Sequence, residues 1–268
     1  MKLKETRIGC FMAVPDLISL LNMSFGFLSI LMAINGQITI SAIFIIIALI
    51  FDSVDGWVAR KLSRIDEHGF GKNIDSLSDI VSFGVAPGVL LYCVGDSYIR
   101  NSVINQLGAG QPLQFTQFTH FAQFTQFLGF DYLLAIVAIV SLFVVICGVL
   151  RLTRFNVIAD KLDFGGFVGV PIPTVGILLS SFILSGVFDL YVAMILMVIV
   201  GFLMISNIKY SKLNDPKLLI VFAILVVLIL IPYPIVFWGI NIPATAAFVL
   251  TLVYIFSGLF KGLFSSTD

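Results

Sequence analysis

The chain has 268 residues, of which 59% are hydrophobic and only 11% are charged, and its mean hydropathy is +1.10. A typical soluble domain carries about 25% charged residues, so this composition excludes that class. The formal net charge is zero, which provides no basic surface for nucleic acid. Runs of about 20 apolar residues, each long enough to cross a bilayer as a helix, recur along the chain. The composition therefore predicts an all-α, polytopic membrane protein.

The apolar runs divide the chain into a surface helix and eight predicted spans. Residues 1–12 are basic and amphipathic and are expected to lie on the membrane surface. The predicted spans are 14–34, 38–60, 75–95, 132–153, 170–187, 189–207, 217–236 and 243–261. We interpret residues 13–210 as a six-span core and residues 211–268 as two additional C-terminal spans.

The basic residues predict the orientation of the chain. With eight spans, 14 of the 15 Lys and Arg residues fall on one side, and only Arg100 falls on the other. This bias predicts a cell-membrane protein with both termini in the cytosol. Segment 96–131 is then a loop insertion on the outer side. It contains PLQFTQFTHFAQFTQF, a low-complexity repeat of Gln, Phe and Thr.

Four aspartates stand in otherwise apolar sequence around the connection between spans two and three. Asp52 and Asp55 are spaced i, i+3 and share one helix face, and Asp75 and Asp79 are spaced i, i+4 on the next helix. Carboxylates inside a bilayer are costly and repel one another. Hard divalent cations such as Mg²⁺ or Mn²⁺ would relieve this cost, and two such ions about 4 Å apart can hold a phosphate. The pattern predicts a metal site near the cytosolic ends of the two spans.

Two other interpretations of the aspartates stay open at this point. The acids could form buried ion pairs with the basic residues that follow them, namely Arg60, Lys61, Arg64 and Lys72. Alternatively, they could form the transit site of a divalent-cation transporter. Such sites often lie within internal repeats, and the C-terminal half has no second copy of the cluster.

The stretch DSVDGWVAR…GKNIDSLSD resembles the signature of the CDP-alcohol phosphatidyltransferase family. The matching residues are Asp52, Asp55, Gly56, Ala59, Arg60, Gly71, Asp75 and Asp79. The segment between the two halves is somewhat longer than is usual in the family. The resemblance implies that the four aspartates bind a pair of Mn²⁺ or Mg²⁺ ions and that Asp79 is also the general base. It further implies a nucleotide- and phosphate-binding role for the remaining four, Gly56, Ala59, Arg60 and Gly71.

Two downstream stretches, IDSLSDIVSFGVAPGVLLY and RLTRFNV, resemble the phosphatidylserine synthase branch of this family. This implies transfer of a phosphatidyl or archaetidyl group from a CDP-activated lipid to L-serine with release of CMP. The resemblance also implies a homodimer that contacts membrane lipids. Glycerol 3-phosphate, inositol and inositol phosphate stay open as acceptors. Arg151 and Arg154 either anchor the fourth span at the cytosolic surface or bind the acceptor or the lipid phosphate.

The first span resembles the opening segment of the same family. Asp16 stands where Asn is common and Ser19 where Thr is common, a variant similar to archaeal serine-transferring members, which favours an archaeol lipid. Asp16 either caps the helix or contacts the nucleotide. Asn22 and Gly26, spaced i, i+4, either allow the first helix to pack closely, or Asn22 contacts the cytidine.

Overall fold

The computed structural model describes residues 12–62, 69–108, 132–158, 167–210, 216–231 and 235–264. The helices in these ranges are α1 (Val14–Ile34), α2 (Ile38–Lys61), α3 (Phe70–Asp79), α4 (Ala86–Gly108), α5 (Tyr132–Ile158), α6 (Pro173–Leu184), α7 (Leu190–Ile205), α8 (Pro216–Leu230) and α9 (Ile242–Phe264). A π-helical turn, Ile80–Val85, joins α3 to α4. Two short antiparallel ladders pair β1 (Phe167–Val168) with β2 (Lys209–Tyr210) and β3 (Val236–Phe237) with β4 (Ile240–Asn241).

The all-α membrane fold is confirmed. Five described helical stretches are long and apolar enough to cross a membrane: Val14–Ile34, Ile38–Lys61, Phe70–Arg100, Tyr132–Ile158 and Ile242–Phe260. Three shorter apolar helices accompany them, at Pro173–Leu184, Leu190–Ile205 and Ile220–Leu230.

The helices at the fifth, sixth and seventh predicted spans are shorter than the predicted ranges. α6 has 12 residues, α7 has 16 and α8 has 15. At 1.5 Å per residue, α6 covers about 18 Å, whereas the hydrocarbon core of a bilayer is about 30 Å thick. Gly169 has a φ of +79°, and Pro173 occupies the first helical position. Together they keep the preceding residues out of the helix.

α4 extends further than the sequence predicts. Residues 96–108 are helical where a loop is expected, and an ion pair between Arg100 Nε and Asp96 Oδ2, 2.8 Å apart at i, i+4 spacing, supports the added turns. Residues 1–11, which make up nearly all of the predicted surface helix, lie outside the described residues. So do residues 109–131, which contain the Gln/Phe/Thr repeat.

α1 packs against α2, α3 and the π turn and thereby brings polar side chains to the aspartates. A Cβ at Gly26 would lie 2.6 Å from the Cα of Ser82, so only glycine permits this approach. Ser82 Oγ donates to the carbonyl of Asn22 at 2.9 Å. On the α2 side, Phe25 stacks on Phe51 with ring centroids 5.2 Å apart. The close packing suggested for Gly26 is therefore present.

α5 is fixed against the π turn in a similar way. A Cβ at Gly148 of α5 would lie 3.3 Å from Cδ1 of Ile80 in the π turn. Both α5 and the π turn contribute residues to the buried core. Arg151 is three residues after Gly148 on the same helix face, and Ile80 directly follows Asp79. This contact places the end of α5 beside the aspartates.

A Gly26→Val substitution should separate α1 from the π turn, because the added atoms would overlap the backbone of Ser82. Overpacking of this kind costs about 1–3 kcal/mol. The matched control is Ser24→Val, which adds the same side chain at an exposed position of the same helix. Thermal unfolding in detergent should show a lower midpoint for Gly26→Val than for the control. Equal midpoints for the two variants would contradict this account of α1 packing.

Candidate active site

The four aspartates converge where α2, α3 and the π turn meet. Carboxylate oxygens of Asp52, Asp55 and Asp75, one from each, lie within 4.8 Å of one another. The carboxyl groups of Asp52 and Asp79 share a hydrogen bond. Asp55 and Asp79 are buried. The spacing along each helix therefore predicts correctly which faces meet.

Two side chains of α1 orient these carboxylates. Ser19 Oγ donates to Asp55 Oδ2 at 2.6 Å, and Asn22 Nδ2 donates to Asp79 Oδ1 at 3.2 Å. Both donors are buried. Sequence reasoning singled out Asn22 as a packing or cytidine contact, whereas the structure directs its amide nitrogen to Asp79.

A cavity of about 460 Å³ opens beside the carboxylates. It is lined by Pro15, Asp16, Ser19, Asp55, Gly56, Ala59, Arg60, Gly71, Lys72 and Asp75. This volume falls within the range of about 300–1,000 Å³ that is usual for small-molecule sites. The lining includes all four residues to which the family resemblance gives a nucleotide- or phosphate-binding role. Arg60 Nη1 lies 3.4 Å from the position that a Cβ would take at Gly56, so the guanidinium covers the glycine.

Asp16 meets both alternatives that the sequence left open, because it caps α1 and lines the cavity. It lies in the first turn of α1, where its Oδ2 accepts a hydrogen bond from the backbone N–H of Ala13 at 2.8 Å. It also lines the cavity. An acid that caps the helix can therefore face a ligand at the same time.

Arg151 is a buried cation next to the acidic cluster, with a side chain only 5% exposed. Its guanidinium carbon lies 5.5 Å from the ring centroid of Phe155 and 5.8 Å from that of Phe167. It interacts electrostatically with Asp52 and Asp79. Within the described part of the chain, its Nε has no hydrogen-bond partner. A charged donor in this position is suited to bind an anionic group of a substrate.

Arg154, one turn later on α5, has a different environment. Its guanidinium donates to the carbonyls of Val168, Met204, Ile205 and Ser206 and to Oδ1 of Asn207, over 2.8–3.4 Å. These bonds tie the C-terminal end of α7 to β1 and satisfy carbonyls that a helix end leaves free. The arrangement gives Arg154 a structural task and offers no support for the acceptor- or phosphate-binding role that the sequence suggested for it.

A second polar connection, between α3 and the end of α5, was not identified from the sequence. Asn156 Nδ2 donates to Ser76 Oγ at 2.9 Å, and Lys72 Nζ donates to the carbonyl of Asn156 at 2.9 Å. Asn156 lies within RLTRFNV, the stretch that the sequence singled out only for its two arginines. This connection holds the helix that carries Asp75 and Asp79.

The geometry argues against the interpretation of the aspartates as simple ion pairs with the basic residues that follow. Lys61 Nζ lies 4.7 Å from the centroid of the Trp57 ring, and Arg60 Nη1 lies over Gly56. Arg64 lies outside the described residues. Four carboxylates facing one buried guanidinium leave excess negative charge, and carboxylate oxygens are the donors that Mg²⁺ and Mn²⁺ prefer. The donor set therefore fits divalent cations.

Apolar helices with a carboxylate cluster beside a cavity define a membrane protein with a candidate metal-dependent active site. The sequence profile described as CDP-alcohol phosphatidyltransferase matches residues 12–206, which is most of the chain. The protein belongs to the CDP-alcohol phosphatidyltransferase family, and the resemblance found in the sequence is confirmed.

Individual relatives extend this likeness beyond the signature. An archaetidylserine synthase of Methanothermobacter thermautotrophicus is 39% identical over 214 residues, which cover 79% of this chain and 75% of the relative. A CDP-diacylglycerol–serine O-phosphatidyltransferase of Methanocaldococcus jannaschii is 31% identical over 248 residues, or 92% of this chain and 93% of the relative. A Bacillus subtilis protein with that same name is 30% identical over 198 residues, or 74% and 89%.

Manganese should stabilise the metal-stripped protein through the carboxylate cluster. At a concentration one hundred times its Kd, a ligand that binds only the folded state adds about 2.7 kcal/mol of stability. Asp75→Asn should remove most of this gain, because it neutralises one of the three acids whose oxygens lie within 4.8 Å of one another. Asp96→Asn, which removes an acid outside the cluster, should retain it. Thermal unfolding with and without Mn²⁺ measures the effect, and equal manganese stabilisation of both variants would contradict the metal site.

Proposed function

We propose that this protein transfers a phosphatidyl-type group from a CDP-activated lipid to the hydroxyl group of L-serine and releases CMP. The observation that carries the proposal is the cluster of Asp52, Asp55 and Asp75, joined by Asp79 through its hydrogen bond to Asp52, beside a cavity lined by the other signature residues. The acceptor rests on the relatives, whose names all specify serine. One name specifies an archaetidyl product and two specify CDP-diacylglycerol, so both lipids are candidate donors.

Asp52, Asp55, Asp75 and Asp79 would hold the metal, which we take to be a pair of Mn²⁺ or Mg²⁺ ions. When bound, such ions neutralise the charge of the pyrophosphate and of the departing phosphate. Gly56 and Ala59 are small residues, and the face of α2 on which they lie therefore leaves room for the nucleotide. Arg60 and Gly71, at the cavity wall, would contact its phosphates.

Asp79 would act as the general base. It accepts the proton of the serine hydroxyl while the serine oxygen attacks the phosphorus that bears the lipid. A new serine O–P bond forms, the bond between this phosphorus and the CMP oxygen breaks, and CMP leaves with the bonding electrons. Asn22, which donates to Asp79 Oδ1, would hold the carboxylate in one orientation.

Arg151 would bind the carboxylate of serine. Its burial, its proximity to Asp79 and its unpaired Nε support this role. A guanidinium removed from water binds a carboxylate more strongly than an exposed one does. Serine held there would have its hydroxyl directed toward the general base.

We infer that the site faces the cytosol of a cell membrane, with both termini on the same side. The positive-inside bias of the basic residues supports this orientation. The lipid would then reach the cavity from within the bilayer, and serine would reach it from the cytosol. A homodimer is part of the same proposal.

Release of CMP by the full-length protein in detergent tests the function. CDP-archaeol or CDP-diacylglycerol is supplied with Mn²⁺ or Mg²⁺, and L-serine is compared with inositol, inositol phosphate and glycerol 3-phosphate. Release that requires both serine and metal is expected. Release with another acceptor would retain the site but change the acceptor. No release with any acceptor, together with metal uptake into liposomes, would identify a transporter and overturn the proposal.

Asp79→Asn should reduce CMP release by about a thousandfold or more, because the serine hydroxyl would lose its proton acceptor. Nucleotide binding should largely persist, since three of the four acids remain. Turnover is measured as the rate of CMP release, and binding is measured with CDP and metal on the same preparation. Full activity in this variant would remove the general-base assignment.

Arg151→Ala should raise the KM for serine about tenfold or more, because a hydrogen bond to a charged group is lost. The KM for the CDP-activated lipid should change little. Arg151→Lys keeps the charge and is the matched control, with an intermediate KM expected. An equal serine KM in the wild type, Arg151→Ala and Arg151→Lys would show that Arg151 has only a structural role.

A further inference from the structure

The short β3–β4 hairpin that precedes α9 presents apolar side chains at its surface. Val236 is 51% exposed, Phe237 is 67% exposed and Trp238, at the tip, is 89% exposed. No other large apolar side chain in the described ranges is more exposed than Trp238. The hairpin lies beyond residues 12–206, which match the family profile, and the proposed function uses none of its residues.

The tip of this hairpin is a two-residue turn in which Trp238 and Gly239 have φ values of +55° and +80°. Such a turn needs positive φ at both residues, and Asn-Gly or Asp-Gly is its preferred sequence. Among the described residues, Trp238 is the only one other than glycine with a positive φ. The left-handed region costs an L-residue about 1–2 kcal/mol. Formation of the turn therefore does not explain an indole at this position.

The hairpin lies at the end of the helix bundle opposite to the aspartates. α9 begins at Ile242, directly after β4, whereas Ile255, further along α9, accepts a hydrogen bond from the Tyr210 hydroxyl of β2. β2 pairs with β1, whose Phe167 ring lies 5.8 Å from the guanidinium carbon of Arg151. Between Ile242 and Ile255 the helix rises about 20 Å. This length separates the hairpin from the acidic cluster.

Other exposed aromatic side chains stand at the same end of the bundle. Tyr132 begins α5, whose other end carries Arg151, and Tyr191 lies at the start of α7, whose other end is bound by Arg154. The rings of Tyr98 and Tyr191 have centroids 6.4 Å apart. All three tyrosines are exposed. Tyr and Trp are enriched where a membrane meets water, because their rings are apolar and carry one polar group.

We propose that the β3–β4 hairpin is a membrane anchor, with Phe237 and Trp238 inserted among the lipid headgroups on the side opposite to the aspartates. α9 is apolar enough to cross a membrane and begins directly after the hairpin, so the tip lies where a span reaches the membrane surface. Insertion removes the exposed rings from water and offsets the strain at Trp238.

The anchor also acts on α6, which has only 12 residues and is too short to cross a bilayer by itself. Asn241 N of the hairpin donates to the carbonyl of Ser185, at the end of α6, at 2.9 Å. A Cβ at Gly186 would lie 2.5 Å from the carbonyl oxygen of Gly239. Through these contacts, a hairpin held at the membrane surface fixes the depth of α6.

Tryptophan fluorescence tests the depth of the tip. The chain has two tryptophans, so Trp57→Phe leaves Trp238 as the single reporter. The full-length variant is placed in phosphatidylcholine nanodiscs, whose two faces are both open to solvent. Lipids brominated near the headgroup should quench about half of the emission, whereas lipids brominated at the chain ends and iodide in water should quench little.

Gln37→Trp, in a protein that also carries Trp57→Phe and Trp238→Phe, is the matched control. Gln37 is exposed in the polar turn between α1 and α2, at the same end of the bundle. Iodide should quench this reporter about fivefold more strongly than it quenches Trp238. Equal iodide quenching of the two reporters would place the tip in water and overturn the proposal. Protection of Trp238 from both iodide and bromine would also contradict it, because a protein surface would then cover the tip. Strongest quenching by bromine at the chain ends would exclude the headgroup position.

A second variant, Trp238→Asn, separates anchoring from turn formation. Asn adopts a positive φ more readily than Trp does, so without a lipid contact its melting temperature in nanodiscs should equal or exceed that of the wild type. An anchor instead predicts a melting temperature lower by about 2–4 °C, and Trp238→Tyr, which keeps an aromatic ring with a polar group, should retain most of the wild-type value. An unchanged or higher value for Trp238→Asn would disprove anchoring. None of these measurements uses CMP release, so this inference and the proposed function can fail separately.

Discussion

The rest of the structure depends on the repulsion among four carboxylates placed together in an apolar protein. Two like charges about 4 Å apart repel by about 4 kcal/mol even at an effective dielectric constant near 20. Such a cluster is stable only where donors and cations surround it. Ser19 and Asn22 provide neutral donors, and Arg151 provides one positive charge. The remaining negative charge calls for divalent ions, which are also what a pyrophosphate substrate requires.

Close helix packing makes this arrangement possible. Gly26 lets α1 approach the π turn at Ser82, and Gly148 lets α5 approach it at Ile80. The π turn follows Asp79 directly, and π-helical turns are frequent at functional sites because they shift the side chains that follow out of α-helical register. Small residues at the contacts and one irregular turn thus bring donors and acids from three parts of the chain to a common point.

Arg151 and Arg154 illustrate how the same residue type can have two different environments on one helix. The residues are one turn apart, and the sequence offered the same two interpretations for both. Arg154 is surrounded by carbonyl oxygens at the end of α7, so its charge completes hydrogen bonds of the fold. Arg151 is surrounded by aromatic rings and acids, so its charge stays available to a ligand. Only the positions of neighbouring elements separate the two environments.

The sequence by itself determined the class of fold, the cluster of aspartates and the signature residues that line the cavity, because these rest on local periodicity and on a motif contained in two consecutive helices. It missed the short lengths of α6, α7 and α8, the helical continuation through Gly108 and the π turn, since hydrophobicity alone does not mark where a helix ends. Only the tertiary structure decided which polar residues of α1 and α5 reach the acids and that α9 packs on α6 and β2. Those contacts join residues separated by tens of positions, and no local pattern encodes which distant side chains will meet.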